Sequence, residues 1–166
     1  MLLLTLLAQI TPVQPLPRAN PSPPPVTEET QVLAPVQALF DALAKRDGAA
    51  ILARGLPNAT TWASVERPDG ARVTRQRSFA EFASAVSGAG PRLEERFVGT
   101  PAVEIDGDMA MVWGNYVFLI DGKLSHCGVD HVSLIRDPGS GSGAGAGPWK
   151  IAHMAWTQRT TGCEAR

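Results

Sequence analysis

The chain has 166 residues, of which 44% are hydrophobic, so it can form one domain with a sizeable core and flanking tails. Its 15 Lys and Arg and 16 Asp and Glu residues leave a net charge of −1, and its basic cluster at residues 72–77 is short enough to be a solvated strand edge. Nucleic acid and anionic membrane surfaces require clustered positive charge, so we expect neither as a partner.

The first nine residues, MLLLTLLAQ, form an apolar run that resembles the hydrophobic region of a secretory signal. No Lys or Arg precedes it, and stable membrane insertion would need roughly 20 apolar residues. We predict a signal segment over residues 1–9, cleaved after Ala8, and therefore a periplasmic or secreted protein. The alternative is an irregular apolar tail.

A proline-rich segment follows over residues 10–29. Proline fixes φ and lacks an N–H group, so this segment cannot form a helix interior or a central strand. We predict a disordered, extended linker. The alternative, a ligand for a proline-recognising domain, suits an exported chain poorly.

Helical signals begin near residue 29. A stripe with helical spacing predicts a first helix, and it consists of Val32, Val36, Leu39, Phe40 and Leu43. Residues 49–56 predict a second, short helix. Two β-rich segments at 58–66 and 71–77 come next, and a capping box of Ser78 and Glu81 begins a third helix.

The second half of the chain contains three long strand-like runs, separated by DGD at 106–108 and DG at 121–122. Asp–Gly between two β-rich runs is a strong hairpin signal. Residues 137–148 form a Gly/Ser-rich segment that we expect to be a flexible loop, and residues 149–161 predict the final strand. This order indicates an α+β fold with helices on one face of a curved sheet.

Four segments carry a resemblance to a known superfamily: VQALFDALAKRDGAAILARGL, DMAMVWGNYVF, GVDHVSLIR and PWKIAHMAWTQR. Over residues 30–163 the chain resembles the nuclear transport factor 2-like superfamily, which includes SnoaL-like cyclases and ketosteroid isomerase, and it is most similar to uncharacterised bacterial members. The resemblance implies a cone-shaped barrel made of a strongly curved antiparallel sheet, with about three N-terminal helices packed on its concave face. It also implies a pocket between sheet and helices. Some members are enzymes, some bind ligands and some only mediate assembly, so the fold does not decide the function.

Hairpin arithmetic predicts which residues share a face of the sheet. A two-residue turn at 121–122 pairs Ile120 with Lys123, and regular pairing then places Trp113 opposite Asp130 and Asn115 opposite Gly128. His126 and Asp130 share this face, whereas Cys127 and His131 lie on the other. A metal site made from the whole HCGVDH stretch is therefore excluded by parity, and we predict no metal and no other cofactor.

The face with Asp130 combines apolar and polar side chains, as small-molecule sites do. We predict a small apolar or aromatic ligand, bound by Trp62, Trp113, Asn115, Tyr116, Met154 and Trp156. The alternative for most of these aromatic residues is ordinary core packing.

Asp130 is the candidate catalytic residue, with His126 as the second. The resemblance to ketosteroid isomerase implies an aspartic acid on this strand that donates a hydrogen bond to the substrate oxygen, and burial would keep such an acid protonated. The same alignment puts Ser64 where the proton-abstracting carboxylate belongs, and Leu39 or Phe40 where the tyrosine belongs. The alternative is that Asp130 only satisfies polar groups in the interior.

The two cysteines, Cys127 and Cys163, are candidates for a disulfide in an exported protein. A straight final strand would leave their sulfur atoms too far apart to bond, so the tail must turn back. Gly162 permits such a turn.

Three functional hypotheses follow. The first is an exported small-molecule-binding domain. The second is an isomerase-, cyclase- or dehydratase-type enzyme that uses Asp130. The third is a non-catalytic dimerisation module that forms a homodimer through the outer face of its sheet.

Overall fold

The structure is a computed structural model that describes residues 27–137 and 147–163. The predicted signal segment, most of the predicted linker and most of the predicted Gly/Ser loop lie outside the described residues, so these assignments stay predictions.

Three helices are present in the described ranges: α1 (Glu28–Lys45), α2 (Gly48–Leu52) and α3 (Phe79–Val86). The side chain of Thr27 caps α1 by accepting a hydrogen bond from the backbone N–H of Thr30, so the helix begins two residues inside the predicted linker. The predicted capping box of Ser78 and Glu81 begins α3.

The part of the chain that the structure describes also contains seven strands, which form one sheet: β1 (Gly55–Glu66), β2 (Arg72–Ser78), β3 (Leu93–Phe97), β4 (Ala102–Asp106), β5 (Met109–Ile120), β6 (Lys123–Arg136) and β7 (Trp149–Gln158). The strand order is β2-β1-β7-β6-β5-β3, and β4 also pairs with β5. β3 and β4 occupy different stretches of the same edge of β5.

The sheet is mixed, whereas the sequence predicted an antiparallel one. β1 and β7 pair in parallel, while the other neighbours are antiparallel. A hairpin forces antiparallel pairing, but β1 and β7 come from distant parts of the chain, so no turn constrains their direction. The sheet curls without closing on itself, so the predicted cone-shaped barrel is not confirmed, although the α+β class is.

The core lies between the helices and the concave face of the sheet. All five residues of the predicted stripe on α1 are buried. All of them except Leu43 belong to one cluster with apolar side chains of β5, β6 and β7 such as Val112, Val132 and Ile151. Complete burial of a Leu or Val side chain stabilises the fold by about 1.5–3 kcal/mol. This packing fixes which face of the sheet the helices cover. No described helix is long and apolar enough to span a bilayer.

The β5–β6 hairpin contains a bulge that the sequence analysis missed. Ile120 pairs with Lys123 and Leu119 with Leu124, as predicted, but Phe118 pairs with His126, so Ser125 is an extra residue on β6. One extra residue shifts the register and reverses which residues of the partner strand share a face. The predicted pairs beyond the bulge are therefore wrong by one position.

Beyond the bulge, Gly114 pairs with Asp130 and Tyr116 with Gly128. Trp113, which we predicted opposite Asp130, pairs with His131 on the outer face. His126 and Asp130 still share one face and Cys127 and His131 the other, because residues separated by an even number on one strand are unaffected by the partner's register.

A Cys127–Cys163 disulfide is present, with the two Cα atoms 5.5 Å apart. The chain turns back after β7, where Arg159 forms a β-bridge with Cys127 and Gly162 has a φ of 64°. The turn brings the C-terminal tail onto the outer side of β6, as the predicted disulfide requires.

Candidate functional site

A cavity of about 200 Å³ lies between the concave face of the sheet and helices α1 and α3. An engineered cavity of roughly 150 Å³ is enough to hold benzene, so a substituted aromatic ring is the scale of ligand that fits. Its lining consists of Leu43, Thr61, Ala63, Val65, Arg75, Arg77, Phe82, Val86, Glu95, Tyr116, Phe118, His126, Met154, Trp156 and Gln158.

Aromatic side chains form much of the apolar wall. Phe82 of α3 packs on Trp156 of β7, with ring centroids 5.8 Å apart. Phe118 of β5 stacks on His126 of β6 at 4.5 Å, with only 14° between the ring planes. Such surfaces favour flat, apolar or aromatic ligand groups.

A pair of carboxyl groups lies at the β3–β5–β6 end of the cavity. Glu95 lines the cavity, and its side chain hydrogen-bonds to that of Asp130, which is 1% exposed. Burial raises the pKa of Glu95 to about 7, and the hydrogen bond from Asp130 opposes that rise. Burial, the neighbouring charge of Glu95 and their hydrogen bond all raise the pKa of Asp130, so the two groups share one proton near neutral pH.

The proton of this pair resides mainly on Asp130, because its pKa is raised by the same hydrogen bond that lowers that of Glu95. The Oδ2 atom of Asp130 has no hydrogen-bond partner among the described residues. Glu95 is therefore the member that presents a carboxylate to the cavity, and Asp130 is the protonated acid that donates a hydrogen bond to that carboxylate.

The hydroxyl of Tyr116 donates a hydrogen bond to the carbonyl oxygen of Thr157 at 2.9 Å. Burial and the charges of Glu95 and Asp130 raise its pKa, so Tyr116 stays protonated at physiological pH. The ring contributes wall area to the cavity, while the hydroxyl is committed to β7.

His126 is the β6 residue that lines the cavity. Burial lowers its pKa to about 4, so the imidazole is neutral at physiological pH. Its Nδ1 atom lies 3.2 Å from the hydroxyl oxygen of Ser125, the bulge residue. A neutral imidazole can donate one hydrogen bond and accept another.

The structure brings some of the predicted site residues together and separates others. Four of them line the cavity: Tyr116, His126, Met154 and Trp156. Asp130 does not line it and is connected to it through Glu95.

Three predicted ligand-binding residues, Trp62, Trp113 and Asn115, lie on the outer face of the sheet, outside this cavity. Trp62 and Trp113 are 42% and 51% exposed. The Ser125 bulge explains why Trp113 and Asn115 lie on the outer face, because it shifts the register between β5 and β6 by one residue. For Trp62, the cause is strand alternation, since its neighbours Thr61 and Ala63 are the residues of β1 that face the cavity.

Glu95 is a charged residue of the candidate site that was not predicted from the sequence. The stretch LEERF does carry a signal, because Leu93, Glu95 and Phe97 alternate on one face of a strand. A carboxylate between two apolar residues with that spacing is expected to face a buried surface. Arg75 and Arg77 were missed for the opposite reason, since a basic cluster on an edge strand is usually solvated.

Within the described residues, no group of three or more His, Cys, Asp or Glu side chains is arranged to hold a metal ion. The two histidines of the outer face, His131 and His153, have ring centroids 6.4 Å apart, and Nδ1 of His153 lies 2.9 Å from the hydroxyl oxygen of Thr60.

Solved structures resemble this chain, although neither a family model nor a curated protein matches its sequence. A nuclear transport factor 2-like superfamily protein from Salmonella enterica has a TM-score of 0.60 at 12% identity, over 83% of this chain and 95% of that one. A putative dehydratase of the same family from Streptomyces avermitilis has a TM-score of 0.56 at 14% identity, over 80% and 96% of the two chains. The CaMKII hub of S. rosetta has a TM-score of 0.58 at 21% identity, over 81% and 99%. At these identities the similarity establishes the fold, which is the nuclear transport factor 2-like fold.

Proposed function

We propose that this protein is an exported domain that binds a small apolar or aromatic molecule in the cavity between sheet and helices. The observation that carries the proposal is a cavity between sheet and helices in which aromatic side chains form much of the wall and polar side chains from several strands face the same space. Apolar walls with a few convergent polar groups are typical of small-molecule sites.

Filling the cavity tests this proposal. Indole serves as a neutral aromatic probe, with binding measured by ligand-observed NMR. Ala63→Leu adds a larger side chain inside the cavity and is expected to abolish the signal, whereas Ser64→Leu makes a similar addition on the opposite face of the same strand and should preserve it. Absence of indole binding to the wild type, or equal binding to both variants, would contradict the proposal.

Export is supported by the apolar run at residues 1–9 together with the Cys127–Cys163 disulfide, since disulfides persist mainly outside the cytosol. Expression of the full chain in a bacterium, followed by fractionation and mass spectrometry, tests it. We expect a periplasmic product cleaved after Ala8. An uncleaved, cytosolic product would contradict export.

A second candidate is an enzyme that moves a proton, because Glu95 presents a carboxylate with a pKa of about 7 to the cavity. A base with a pKa near the operating pH is well suited to abstract a proton from carbon. In such a step Glu95 accepts the proton from a carbon next to a carbonyl, and neutral His126 donates a hydrogen bond to the resulting enolate oxygen. The putative dehydratase with the same fold makes this class of chemistry a reasonable alternative.

Deuterium exchange separates the enzyme from the binding domain. A panel of small cyclic ketones is incubated with the protein in D₂O, and loss of the α-proton signal is followed by NMR. The enzyme hypothesis expects exchange that Glu95→Gln abolishes and that Asp130→Asn changes without abolishing, since an asparagine amide still donates to Glu95. No exchange with the wild type would remove this candidate.

Dimerisation is the third candidate, favoured by a row of side chains across the outer face. The row runs from Trp113 through His131 and Ala155 to Trp62, and both tryptophans are exposed. Large exposed aromatic side chains on a sheet face are characteristic of interaction surfaces.

A further inference from the structure

Two arginines of β2 reach the cavity. Arg75 pairs with Ala63 and Arg77 with Thr61 on β1, and all four residues line the cavity. The alternate residues of β2 lie on the other face, where Thr74 pairs with Ser64 and Gln76 with Trp62. The strand thus directs two of its three arginines toward the same face as the ligand cavity.

Neither Arg75 nor Arg77 forms an ion pair or a side-chain hydrogen bond within the described residues, although other arginines do. Arg72, at the start of the same strand, pairs with Glu66, and Arg136 pairs with Glu28 and Asp108. The acid nearest in sequence to Arg77 is Glu81, whose Oε2 atom accepts hydrogen bonds from the backbone and hydroxyl of Ser78. These hydrogen bonds lower the pKa of Glu81, and the charge of Arg77 adds to that effect without a hydrogen bond between the two side chains. Both side chains are exposed at the β2 edge of the sheet, so water, and no protein acceptor among the described residues, occupies these guanidinium donors and a ligand carboxylate can replace it.

Charge is divided between the two ends of the cavity. Arg75 and Arg77 belong to β2 at one edge of the sheet, whereas Glu95 belongs to β3 at the other edge. The strands between them contribute mainly uncharged walls, including Ala63 and Trp156. A ligand that satisfies both ends carries its negative charge toward β2 and directs an uncharged group toward Glu95.

On this basis, and resting on the proposed binding function, we propose that the natural ligand is an aromatic or alicyclic monoanion whose carboxylate is bound by Arg75 and Arg77. A guanidinium group offers two parallel N–H donors that match the geometry of a carboxylate. The apolar ring occupies the space beside Phe82 and Trp156. A second anionic group at the other end is disfavoured, because it would face the Glu95 carboxylate.

The experiment compares two ligands of nearly equal shape, 4-methylbenzoate and 4-methylbenzamide, which differ in charge. Their dissociation constants are measured by calorimetry for the wild type and for the double variant Arg75→Gln/Arg77→Gln. Arg72→Gln is the matched control, because it removes one arginine from the same strand without touching the cavity lining.

We expect the wild type to bind the carboxylate at least about tenfold more tightly than the amide, because charge-assisted hydrogen bonds are stronger than neutral ones. The preference should disappear in the double variant, persist in Arg72→Gln, and shrink in high salt. Thermal melting of the variants confirms that they remain folded.

Equal affinity of the wild type for both ligands would overturn the anion assignment and leave the proposed binding function intact. A preference that survives in the double variant, or that is lost equally in Arg72→Gln, would overturn the role of Arg75 and Arg77. Binding of neither ligand to the wild type would contradict both the inference and the proposed function.

Discussion

At the scale of single residues, the Glu95–Asp130 pair decides the chemistry of the cavity. Two carboxyl groups within hydrogen-bonding distance cannot both ionise without strong repulsion, so one retains its proton. Asp130 is the more deeply buried of the two and keeps it. The sequence predicted Asp130 itself as the candidate catalytic residue, whereas in the structure Glu95 lies between Asp130 and the cavity.

The raised pKa of Glu95 predicts that this residue destabilises the fold as the pH rises. Below the ordinary pKa of 4.5, Glu95 is protonated in both the folded and the unfolded state, so its ionisation does not change the free energy of unfolding. Between that value and about 7 the folded state binds more protons, so its contribution to the free energy of unfolding falls with pH. We expect Glu95→Gln to match the wild type near pH 4.5 and to exceed its stability by about 1–3 kcal/mol near pH 8, measured by urea unfolding.

Glu94→Gln is the control for this measurement. Glu94 lies on the opposite face of β3 and pairs with Arg92 at the surface. Its removal should change stability little and without the same dependence on pH. The lowered pKa of His126 makes the free energy of unfolding rise with pH between about 4 and 6.5, which is opposite to the effect of Glu95. Because the wild type and both variants contain His126, this contribution cancels when their stabilities are compared. A pH-independent difference for Glu95→Gln would refute the raised pKa.

At the scale of secondary structure, Gly128 allows β5, β6 and β7 to approach one another. A Cβ atom at this position would lie 1.8 Å from the carbonyl oxygen of Thr157. That same oxygen accepts the hydrogen bond from Tyr116 of β5, and the hydroxyl of Thr157 accepts from the backbone of Val129. The missing side chain therefore lets Thr157 of β7 accept hydrogen bonds from both β5 and β6.

Gly128→Ala is expected to lower the free energy of unfolding by about 3 kcal/mol, because the clash involves backbone and cannot be relieved by a rotamer change. Chemical denaturation followed by tryptophan fluorescence measures the loss. Gly70→Ala is the control: its Cβ would meet nothing within 4 Å, and only its positive φ of 80° adds a cost of about 1 kcal/mol. Equal losses for the two variants would refute the close-approach argument.

At the scale of the whole molecule, the Cys127–Cys163 disulfide closes a loop between residues 36 positions apart, which includes the Gly/Ser-rich segment and β7. Closing a loop of this length in the unfolded chain corresponds to about 4 kcal/mol in the chain-entropy description. Replacing both cysteines by serine should therefore lower the free energy of unfolding by about 2–4 kcal/mol in urea. A double variant as stable as the oxidised wild type would show that the bond is absent or has no effect on stability.

The exposed tryptophans of the outer face, Trp62 and Trp113, lead to a separate prediction about dimerisation. If the protein dimerises through this face, replacing both Trp62 and Trp113 by serine should convert a dimer to a monomer in size-exclusion chromatography with light scattering. Leu52→Ser, which changes an exposed apolar residue of α2, should leave the dimer unchanged. A wild type that is strictly monomeric would remove the dimerisation candidate.

Most of the individual elements could be predicted because their signals are local. The α1 stripe, the Ser78–Glu81 capping box and the turn at residues 121–122 each depend on residues a few positions apart. The disulfide could be anticipated because only two cysteines exist and Gly162 allows the tail to reverse. The Ser125 bulge could not, because its sequence gives no distinctive sign of an extra residue.

The sequence alone determined that the chain forms an α+β fold of this kind, and that His126 and Asp130 share one face of β6 while Cys127 and His131 share the other. Alternation along one strand is a property of that strand, so it survives any change in its partners. Only the tertiary structure decided which residues of β5 join that face, that β1 runs parallel to β7, and that Glu95 meets Asp130. These are relations between strands, and a single inserted residue or an unconstrained direction changes them without altering any local pattern.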